Sequence, residues 1–445
     1  MGKVLESRSY PRDERLSGWY HTLPEATALS TLQSSATADV AVIGAGFAGL
    51  SAARRLHQND PTLRIAVVEA QGLAWAGAGR NSGFMIDLPH ELNSENYAGG
   101  ESHDRQQIAD NRMALAFAES AAQEYGLEEY FLKVGKYHGA TNGAGLKALH
   151  EFASHLEALG EEFRLLSAAE LQQVVGTDYY DGGIFTPGAT LLQPAGYIRG
   201  LGRALDAKEN INVYEHSPVL KVESLSDGAR IATAHGRIDA GSVIFANNGH
   251  IESFGIGTNR ILHLFTFASM TEELSDAQCA QLGEPDHWGL IPASPMGTTL
   301  RKLPNKRFLV RNQWTFNPDI SITDRDVEHW GKQHDRCFAV RYPGLNGVGM
   351  EYRWGGPIAI TLNSAPVFGE VEPNVYAATI CQGLGTTHST LLGMMLADHL
   401  TGQESPTLSA LLDSPSPSRL PPRLLNQFGV PAYLKWVHWR AGRDL

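Results

Sequence analysis

The chain has 445 residues, which is too long for one ordinary hydrophobic core and predicts two domains or one large composite fold. It carries 36 Lys and Arg against 48 Asp and Glu, a net charge of −12, and no basic cluster, so nucleic acid is not expected as a partner. The three cysteines, Cys279, Cys337 and Cys381, are widely spaced and match no zinc signature. Neither a disulfide framework nor a metal site is therefore expected.

The amino-terminal segment, residues 1–34, has no apolar run typical of a signal peptide, and no apolar run elsewhere is long enough to span a bilayer. We therefore expect a cytoplasmic protein without a transmembrane segment. The segment is rich in Ser, Thr, Arg and aromatic residues, and is predicted to be irregular. It either packs on another part of the protein or forms a disordered leader.

A glycine-rich turn follows the first apolar strand, residues 40–43, and leads into a predicted helix. The turn has a GxGxxG pattern, in which Gly44 permits the tight turn, Gly46 lets the backbone approach a pyrophosphate, and Gly49 lets the helix pack closely on the strand. Glu69 ends a second predicted strand and is placed to accept hydrogen bonds from a ribose. Together these features predict dinucleotide binding at a helix amino terminus. The alternative is a glycine-rich turn in an unrelated α/β protein.

A second glycine-rich stretch covers residues 72–85 and surrounds Arg80 and Asn81. Because several close glycines disfavour regular structure, this stretch suits a chain that lies against a ligand.

A block of helices and strands follows, and we assign it to a second domain. A helix is predicted over residues 104–125, ending at Gly126, and another over residues 145–159, closed by Gly160. Residues 131–141 are predicted as a pair of strands. The sequence SAAEL begins a short helix with a capping box at Ser167.

The chain then returns to the first domain. A link punctuated by Gly and Pro is predicted over residues 182–196, followed by a helix over residues 197–206 and a strand over residues 212–214. A buried strand over residues 242–249 ends in a turn of small residues. Such turns at the carboxyl edge of a sheet bind ligands in α/β folds.

The last third combines a second insertion with a return to the first sheet. Short β-rich segments and a helix over residues 323–341 predict an antiparallel sheet. Strands over residues 354–361 and 375–380 precede a glycine-rich turn that enters a long apolar helix after Cys381. The tail ends in an aromatic and basic stretch, residues 433–443, which is expected to be solvated or packed, with a membrane surface as the alternative.

The predicted domains are discontinuous in sequence. They comprise a nucleotide-binding domain of residues 35–100, 185–255 and 350–405, a substrate domain of residues 101–184 and 256–349, an amino-terminal extension of residues 1–34, and a carboxyl-terminal tail of residues 406–445.

Several motifs together resemble one known family, the D-amino-acid-oxidase-type FAD-dependent oxidoreductases, over roughly residues 35–405. The motifs are VIGAGFAGL at residues 42–50, AGRNSGF at 78–84, YRWGGPIAIT at 352–361, PVFGEV at 366–371 and QGLGTTHST at 382–390. The resemblance implies an α/β composite fold of the glycine-oxidase type. Such a fold has an FAD-binding Rossmann-like domain and a second domain with a mostly antiparallel sheet.

The resemblance also implies which residues hold FAD. They are Gly44, Ala45, Gly46, Phe47 and Gly49 at the pyrophosphate, Glu69 and Ala70 at the adenosine ribose, Arg80, Asn81 and Ser82 at the flavin side, Val219 at the adenine, and Gly383, Leu384, Gly385, Thr386 and Thr387 near the flavin O2 atom.

The family's chemistry implies oxidation of an amine or amino acid by hydride transfer to the flavin, giving an imine and then a carbonyl compound. Within the family, the motifs are most similar to those of enzymes that act on gamma-glutamylputrescine, with oxygen as acceptor. Relatives usually have a GSGHG-like turn, whereas residues 383–389 here read GLGTTHS. A dehydrogenase that passes electrons to quinone or a protein therefore stays open, as does an FAD-bound assembly or regulatory protein without turnover. The sequence does not predict the oligomeric state.

The resemblance gives four candidates for catalysis or substrate contact. Trp354 is expected to form an aromatic wall, Arg353 to pair with a carboxylate beside Tyr352, and His388 to open the carboxyl-terminal helix. Two further side chains, Tyr137 and His138, are weaker candidates for the cavity. A core or structural role is the alternative for each. For Cys381 the alternatives are a thioether to the flavin and a small buried thiol.

Overall fold

The computed structural model describes residues 3–12, 15–89, 100–294 and 296–445. The end of the predicted segment 35–100 and parts of the amino-terminal extension thus lie outside the described residues. The described strands are β1 (Val4–Glu6), β2 (Ser35–Ile43), β3 (Ile65–Val68), β4 (Phe84–Met85), β5 (Phe131–Leu132), β6 (Lys136–Ala140), β7 (Arg164–Ser167), β8 (Gly182–Thr186), β9 (Thr190–Leu192), β10 (Ile211–Tyr214), β11 (Lys221–Leu225), β12 (Gly228–Ala232), β13 (Arg237–Phe245), β14 (Leu262–Thr271), β15 (Trp288–Pro292), β16 (Thr299–Lys302), β17 (Phe308–Phe316), β18 (Met350–Ile360), β19 (Val367–Glu372) and β20 (Val375–Thr379).

The described helices are α1 (Gly18–His21), α2 (Phe47–Asn59), α3 (Glu101–Tyr125), α4 (Gly143–Leu159), α5 (Ala168–Val175), α6 (Pro194–Asp206), α7 (Asp276–Cys279), α8 (Asp324–Arg341), α9 (Thr387–Leu400), α10 (Pro406–Leu412) and α11 (Arg423–Ala441).

The first sheet has the order β1-β11-β12-β13-β2-β3-β10, and β20 pairs with the far half of β13. The pairs β13–β2, β2–β3, β3–β10 and β13–β20 are parallel. Central parallel strands are apolar because both faces are covered. Val42 packs in the core that contains α2 and α9, whereas its neighbours Ala41 and Ile43 pack in the core on the opposite face.

The second sheet has the order β18-β14-β17-β16-β15-β6-β8-β7. All of its pairs are antiparallel except β15–β6. This confirms the predicted combination of a Rossmann-like sheet and a mostly antiparallel one. The predicted division at residue 350 is wrong in one respect, because β18 pairs with β14 along its length and thus belongs to the second sheet.

Two local predictions need correction. Residues 131–141 are not a strand pair, since β5 joins β9 in a small third sheet and β6 lies in the second sheet. The predicted link over residues 182–196 contains β8 and β9. Glycines in this stretch indicate close strand approach as well as turns, because a Cβ at Gly183 would lie 2.6 Å from the His138 carbonyl oxygen.

Helix ends follow the predicted signals. Gly126 and Gly160 adopt left-handed backbone conformations (φ 67° and 78°) directly after α3 and α4. At α5, Ser167 and Glu170 form the predicted capping box.

Both ends of the chain pack against the domains. At the amino end β1 pairs with β11, and the Trp19 side chain is buried. At the carboxyl end α11 packs through Leu434, and the buried Asp444 carboxylate accepts a hydrogen bond from the Thr141 hydroxyl at 2.6 Å. The described residues at both ends thus pack on the protein, and the membrane alternative for the tail stays open.

Candidate functional site

An elongated cavity lies between the two large sheets and brings together three distant parts of the sequence. Among the predicted cofactor residues, its lining includes Gly44, Ala45, Gly46, Phe47, Glu69, Ala70, Arg80, Asn81, Ser82, Val219, Gly383 and Gly385. We call it the main cavity. A smaller cavity adjoins it, and Leu384 and Thr386 line that one. The structure places Gly49 and Thr387 behind these linings.

The glycines at the start of α2 meet distinct geometric demands. Gly44 has φ +105°, and a Cβ there would lie 2.9 Å from the Ala246 carbonyl oxygen. A Cβ at Gly49 would lie 1.8 Å from the Gly44 carbonyl oxygen, so only glycine permits this contact between helix and turn. At Gly46 a Cβ would meet only Ala78, so the backbone is open toward the cavity. No side chain caps the helix here, which leaves its first amides available for an anion.

Glu69 lies at the end of β3, and its buried carboxylate faces the same cavity. It accepts hydrogen bonds from the backbone N–H groups of Ala45 at 2.9 Å and Gln71 at 3.1 Å. Burial raises the pKa of the Glu69 carboxyl despite these bonds. The carboxylate is thus fixed to the glycine turn, in the position expected for contact with a ribose.

Orphaned polar atoms after β13 add to the evidence for a ligand. The side-chain oxygens of Asn247 and Asn248 and the Nδ1 atom of His250 are buried and have no hydrogen-bond partner within the described chain. All three residues line the main cavity. Burial lowers the pKa of His250 to about 4, so its ring is neutral near pH 7. Buried polar atoms normally have partners, which a polar cofactor can provide here. We predicted a small-residue turn at this strand end but did not identify these residues as site candidates.

Arg80 lines the cavity and also holds its wall in place. Its side chain is buried and donates hydrogen bonds to the carbonyl oxygens of Trp75 at 2.6 Å, Gly355 at 3.0 Å and Arg15. Arg80 fastens the second glycine-rich stretch to β18 and to the amino-terminal segment.

The turn before α9 closes the other end of the main cavity. The Thr386 hydroxyl donates to the Phe84 carbonyl oxygen at 2.6 Å, and the Thr387 hydroxyl oxygen accepts from the Ile86 amide at 3.1 Å. Both threonines therefore fix the turn against β4 and its extension. The turn brings Gly383 and Gly385 to the cavity, beside the uncapped amino end of α9.

His388 is not among the residues that line either cavity. Burial lowers the pKa of its imidazole to about 4, which leaves it neutral near pH 7. Its neighbour Ser389 and the buried Cys381 do line the main cavity. Burial raises the pKa of the Cys381 thiol, so the thiol stays protonated near pH 7.

The expectation that Tyr352, Arg353 and Trp354 contact the substrate is not supported, because none of them lines either cavity. The Trp354 indole is buried and donates to the Arg80 carbonyl oxygen at 3.0 Å. Arg353 binds the Asp335 carboxylate at 2.8 Å and 3.0 Å on the outer side of the sheet. On this strand the residues that line the main cavity begin two positions after Trp354, at Gly356.

The structure also places Tyr352, Tyr137 and His138 away from the cavities. Tyr352 stacks on His21, with ring centroids 4.9 Å apart. Tyr137 packs against Phe185, and the buried His138 has its Nε2 atom 3.4 Å from the Lys136 amino group.

The smaller cavity contains two residues that the sequence analysis missed. Arg311 and Trp314 lie on β17 and line this cavity, and Arg311 lines the main cavity as well. Among the described residues of its lining, Arg311 is the charged side chain. The Trp314 side chain is buried, its Nε1–H has no acceptor within the described chain, and its ring lies 5.4 Å from the Arg311 guanidinium. A basic residue inside an apolar strand was the available signal.

The two cavities share part of their lining and therefore lie next to each other. Residues in both linings are Asn81, Ser82, Arg311, Gly383 and Gly385. A ligand in the smaller cavity would therefore meet the inner end of a dinucleotide in the main cavity. At this junction the second sheet supplies the cation Arg311. Trp314, whose Nε1–H has no acceptor within the described chain, lines the smaller cavity.

Comparison with known proteins gives consistent matches over most of the chain. The model of the DAO family, FAD dependent oxidoreductase, matches residues 39–399. A probable oxidoreductase OrdL of Haemophilus influenzae is 28% identical over 384 residues, covering 82% of this chain and 84% of the relative. The gamma-glutamylputrescine oxidoreductase of Escherichia coli is 26% identical over 404 residues, covering 84% and 85%. The solved glycine oxidase of Geobacillus kaustophilus has a TM-score of 0.69 at 17% identity, covering 83% of this chain and 96% of that structure.

Proposed function

Since this chain belongs to the DAO family of FAD-dependent oxidoreductases, we propose that it oxidises a carbon–nitrogen bond of an amine that carries a carboxylate. A compound like gamma-glutamylputrescine is the nearest named candidate, because one relative carries that substrate in its name. The observation that supports the carboxylate is Arg311, the charged side chain in the described lining of the smaller cavity.

The residues of the main cavity fit FAD. The open backbone at Gly46 and the uncapped start of α2 suit a pyrophosphate, the Glu69 carboxylate suits a ribose, and the orphaned atoms of Asn247 and Asn248 suit further polar groups. When bound, FAD supplies the two-electron acceptor for the hydride that leaves the carbon next to the substrate nitrogen.

The second sheet orients the substrate at this junction. The Arg311 guanidinium donates charge-assisted hydrogen bonds to a substrate carboxylate, and the Trp314 Nε1–H donates to a carboxylate or amide oxygen nearby. Apolar side chains of the lining, including Phe84, Ile86 and Ile291, exclude water around the reacting carbon. The enclosed site strengthens the interaction with Arg311 because the local dielectric constant is low.

The substrate amine must lose its ammonium proton before it is oxidised. The described lining of the smaller cavity contains no Asp, Glu, His, Lys or Cys that could act as a general base. The amine therefore reacts in its neutral form and loses its ammonium proton to solvent beforehand. After hydride loss, water adds to the imine, which releases a carbonyl compound and ammonia or an amine.

Molecular oxygen is the proposed electron acceptor. The turn formed by residues 383–389 is the reason for a second candidate, a dehydrogenase. This turn lines the cavity where the cofactor ring is proposed to lie, and its sequence departs from the family pattern. A dehydrogenase would pass the electrons to quinone or a protein. Peroxide yield in air separates the two, since an oxidase forms one peroxide for each substrate oxidised.

An anaerobic flavin-reduction screen tests the proposed function. FAD-loaded protein is mixed with amines, gamma-glutamyl amines and both enantiomers of amino acids, and the absorbance of oxidised flavin is followed. We expect bleaching by a carboxylated amine and little by its decarboxylated analogue. If no amine reduces fully bound FAD, the result favours an assembly or regulatory protein without turnover.

A further inference from the structure

The carboxyl-terminal helix α11 has a second apolar face that no described part of the protein covers. Besides the ring of Tyr433, five large apolar side chains on it are strongly exposed, by 48% to 78% of their surface. They are Leu424, Leu425, Phe428, Trp436 and Trp439. Most exposed large apolar side chains of a monomer are scattered singly, whereas these share one helix.

These five side chains form a stripe along one side of the helix, in two groups within residues 424–428 and 436–439. At 3.6 residues per turn they fall within a sector of about 120° around the helix axis. Leu434 and the partly buried Val430 and Val437 occupy the opposite side and pack on Leu264 and Trp314 of the second sheet. The exposed stripe is thus distinct from the face that holds α11 to the protein.

Hydrogen bonds at α11 and just after its carboxyl end hold the helix in a defined position. The His438 Nε2 atom accepts a hydrogen bond from the Trp314 backbone N–H at 3.2 Å. Beyond the helix, the buried Asp444 carboxylate accepts from the Thr141 hydroxyl at 2.6 Å and the Ser294 amide at 3.1 Å. Arg341 donates to the Asp444 carbonyl oxygen at 3.2 Å. The apolar stripe is therefore presented by an anchored helix rather than a loose tail.

The charge around the stripe is uniformly positive. Residues 414–443 contain no Asp or Glu, and α11 carries Arg423, Lys435 and Arg440. This segment contrasts with the net charge of −12 for the whole chain. Basic residues flanking Trp, Phe and Leu are typical of helices that lie in the interface of an anionic membrane.

We propose that α11 binds the surface of a bilayer that contains anionic phospholipids, with its axis in the membrane plane. Its 19 residues present the stripe to the acyl chain boundary, while Lys435 and Arg440 meet the lipid phosphates. Among the described residues no helix has the length and apolar character needed to cross a membrane. A second copy of the chain is the less favoured occupant, because pairing two such faces would bring like charges together.

Vesicle binding of the full-length, FAD-loaded protein tests the proposal. Sedimentation with phosphatidylcholine vesicles is compared with and without phosphatidylglycerol. We expect wild-type protein to bind the anionic vesicles, with binding weakened by salt. The double variant Phe428→Glu, Trp439→Glu should bind at least about tenfold less. The double variant Lys435→Gln, Arg440→Gln should lose the preference for phosphatidylglycerol.

A matched control is available on another surface. Val340 and Leu165 are 61% and 41% exposed, so Val340→Glu, Leu165→Glu adds the same charge to exposed apolar sites outside α11. This variant should bind vesicles like the wild type. Retained FAD absorbance and thermal unfolding verify that each variant is folded, and no substrate enters the assay, so failure of the proposed function would leave this result unaffected.

Two outcomes would overturn the proposal. One is equal vesicle binding by the wild type and the Phe428→Glu, Trp439→Glu variant. The other is absence of vesicle binding by the wild type, together with a dimer in light scattering that this variant converts to monomers, which would assign the stripe to a second copy.

Discussion

Replacing Arg311 with Gln should separate carboxylate recognition from the rest of catalysis. Arg311 lies on β17 at the junction of the two cavities, where its guanidinium is the charged group in the described lining of the smaller one. Gln keeps a polar side chain of similar reach but removes the charge. The loss should therefore appear with substrates that carry a carboxylate and be small with analogues that lack it.

The expected size follows from the type of bond removed. A hydrogen bond to a charged group contributes about 1.5–3 kcal/mol. At about 1.4 kcal/mol for each factor of ten, Arg311→Gln should lower kcat/KM for the carboxylated substrate by about 10- to 100-fold. Most of this loss should be in KM, because the carboxylate is bound in both the ground state and the transition state.

Arg353→Gln is the matched control, because it makes the same change on the neighbouring face of the second sheet. Arg353 binds the Asp335 carboxylate and the Ser269 hydroxyl and lines neither cavity, so its replacement should affect stability more than catalysis and leave kcat/KM within about threefold of wild type. Anaerobic flavin reduction at varied substrate concentration measures both variants. Equal losses for carboxylated and decarboxylated amines, or a larger loss from Arg353→Gln, would refute the assignment of Arg311.

Three further substitutions test the cofactor site and the second sheet. Gly49→Ala would place a Cβ 1.8 Å from the Gly44 carbonyl oxygen. It should therefore lower the free energy of unfolding by at least about 1–3 kcal/mol and weaken FAD binding. Gly143→Ala is the control, because its Cβ would meet open space, and it should have neither effect. Glu69→Gln should raise the Kd for FAD about tenfold in a fluorescence titration, because the amide cannot accept every hydrogen bond that the carboxylate accepts. An unchanged Kd would contradict a role of Glu69 in FAD binding. Burial lowers the pKa of His334 to about 3, below its unfolded value near 6.5. As the pH falls, the unfolded state therefore binds a proton before the folded state does, and the free energy of unfolding decreases. Urea unfolding should therefore show a loss of stability from pH 8 to pH 5 that is about 2 kcal/mol smaller in His334→Asn than in the wild type, while the loss due to His250 and His388 remains in both.

The nucleotide-binding part of the fold could be predicted because its signals are local. The backbone conformation and close contacts that require glycine at positions 44, 46 and 49 involve mainly nearby residues, and the Glu69 carboxylate accepts a hydrogen bond from the same turn. Capping residues likewise marked the ends of helices correctly. Where a residue's role depends on its immediate neighbours, the sequence predicted that role.

The substrate side could not be predicted in the same way because it depends on the pairing of distant strands. β18 pairs with β14 in the second sheet, and its part that lines the cavity begins at Gly356, after Tyr352, Arg353 and Trp354. Arg311 reaches the cavity only because β17 lies between β14 and β16. Neither pairing has a local signal, so the sequence analysis placed the candidate cation on β18, at Arg353, whereas we propose Arg311 on β17.

The most direct test of the central claim is anaerobic reduction of the bound flavin by a matched pair of amines, gamma-glutamylputrescine and putrescine. They share the reacting primary amine, and only the first carries a carboxylate. We predict that gamma-glutamylputrescine, or another carboxylated amine in its place, bleaches the oxidised flavin at much lower concentration than its partner without the carboxylate. Equal reduction by both members of every such pair would contradict the account of a carboxylate held by Arg311 beside FAD.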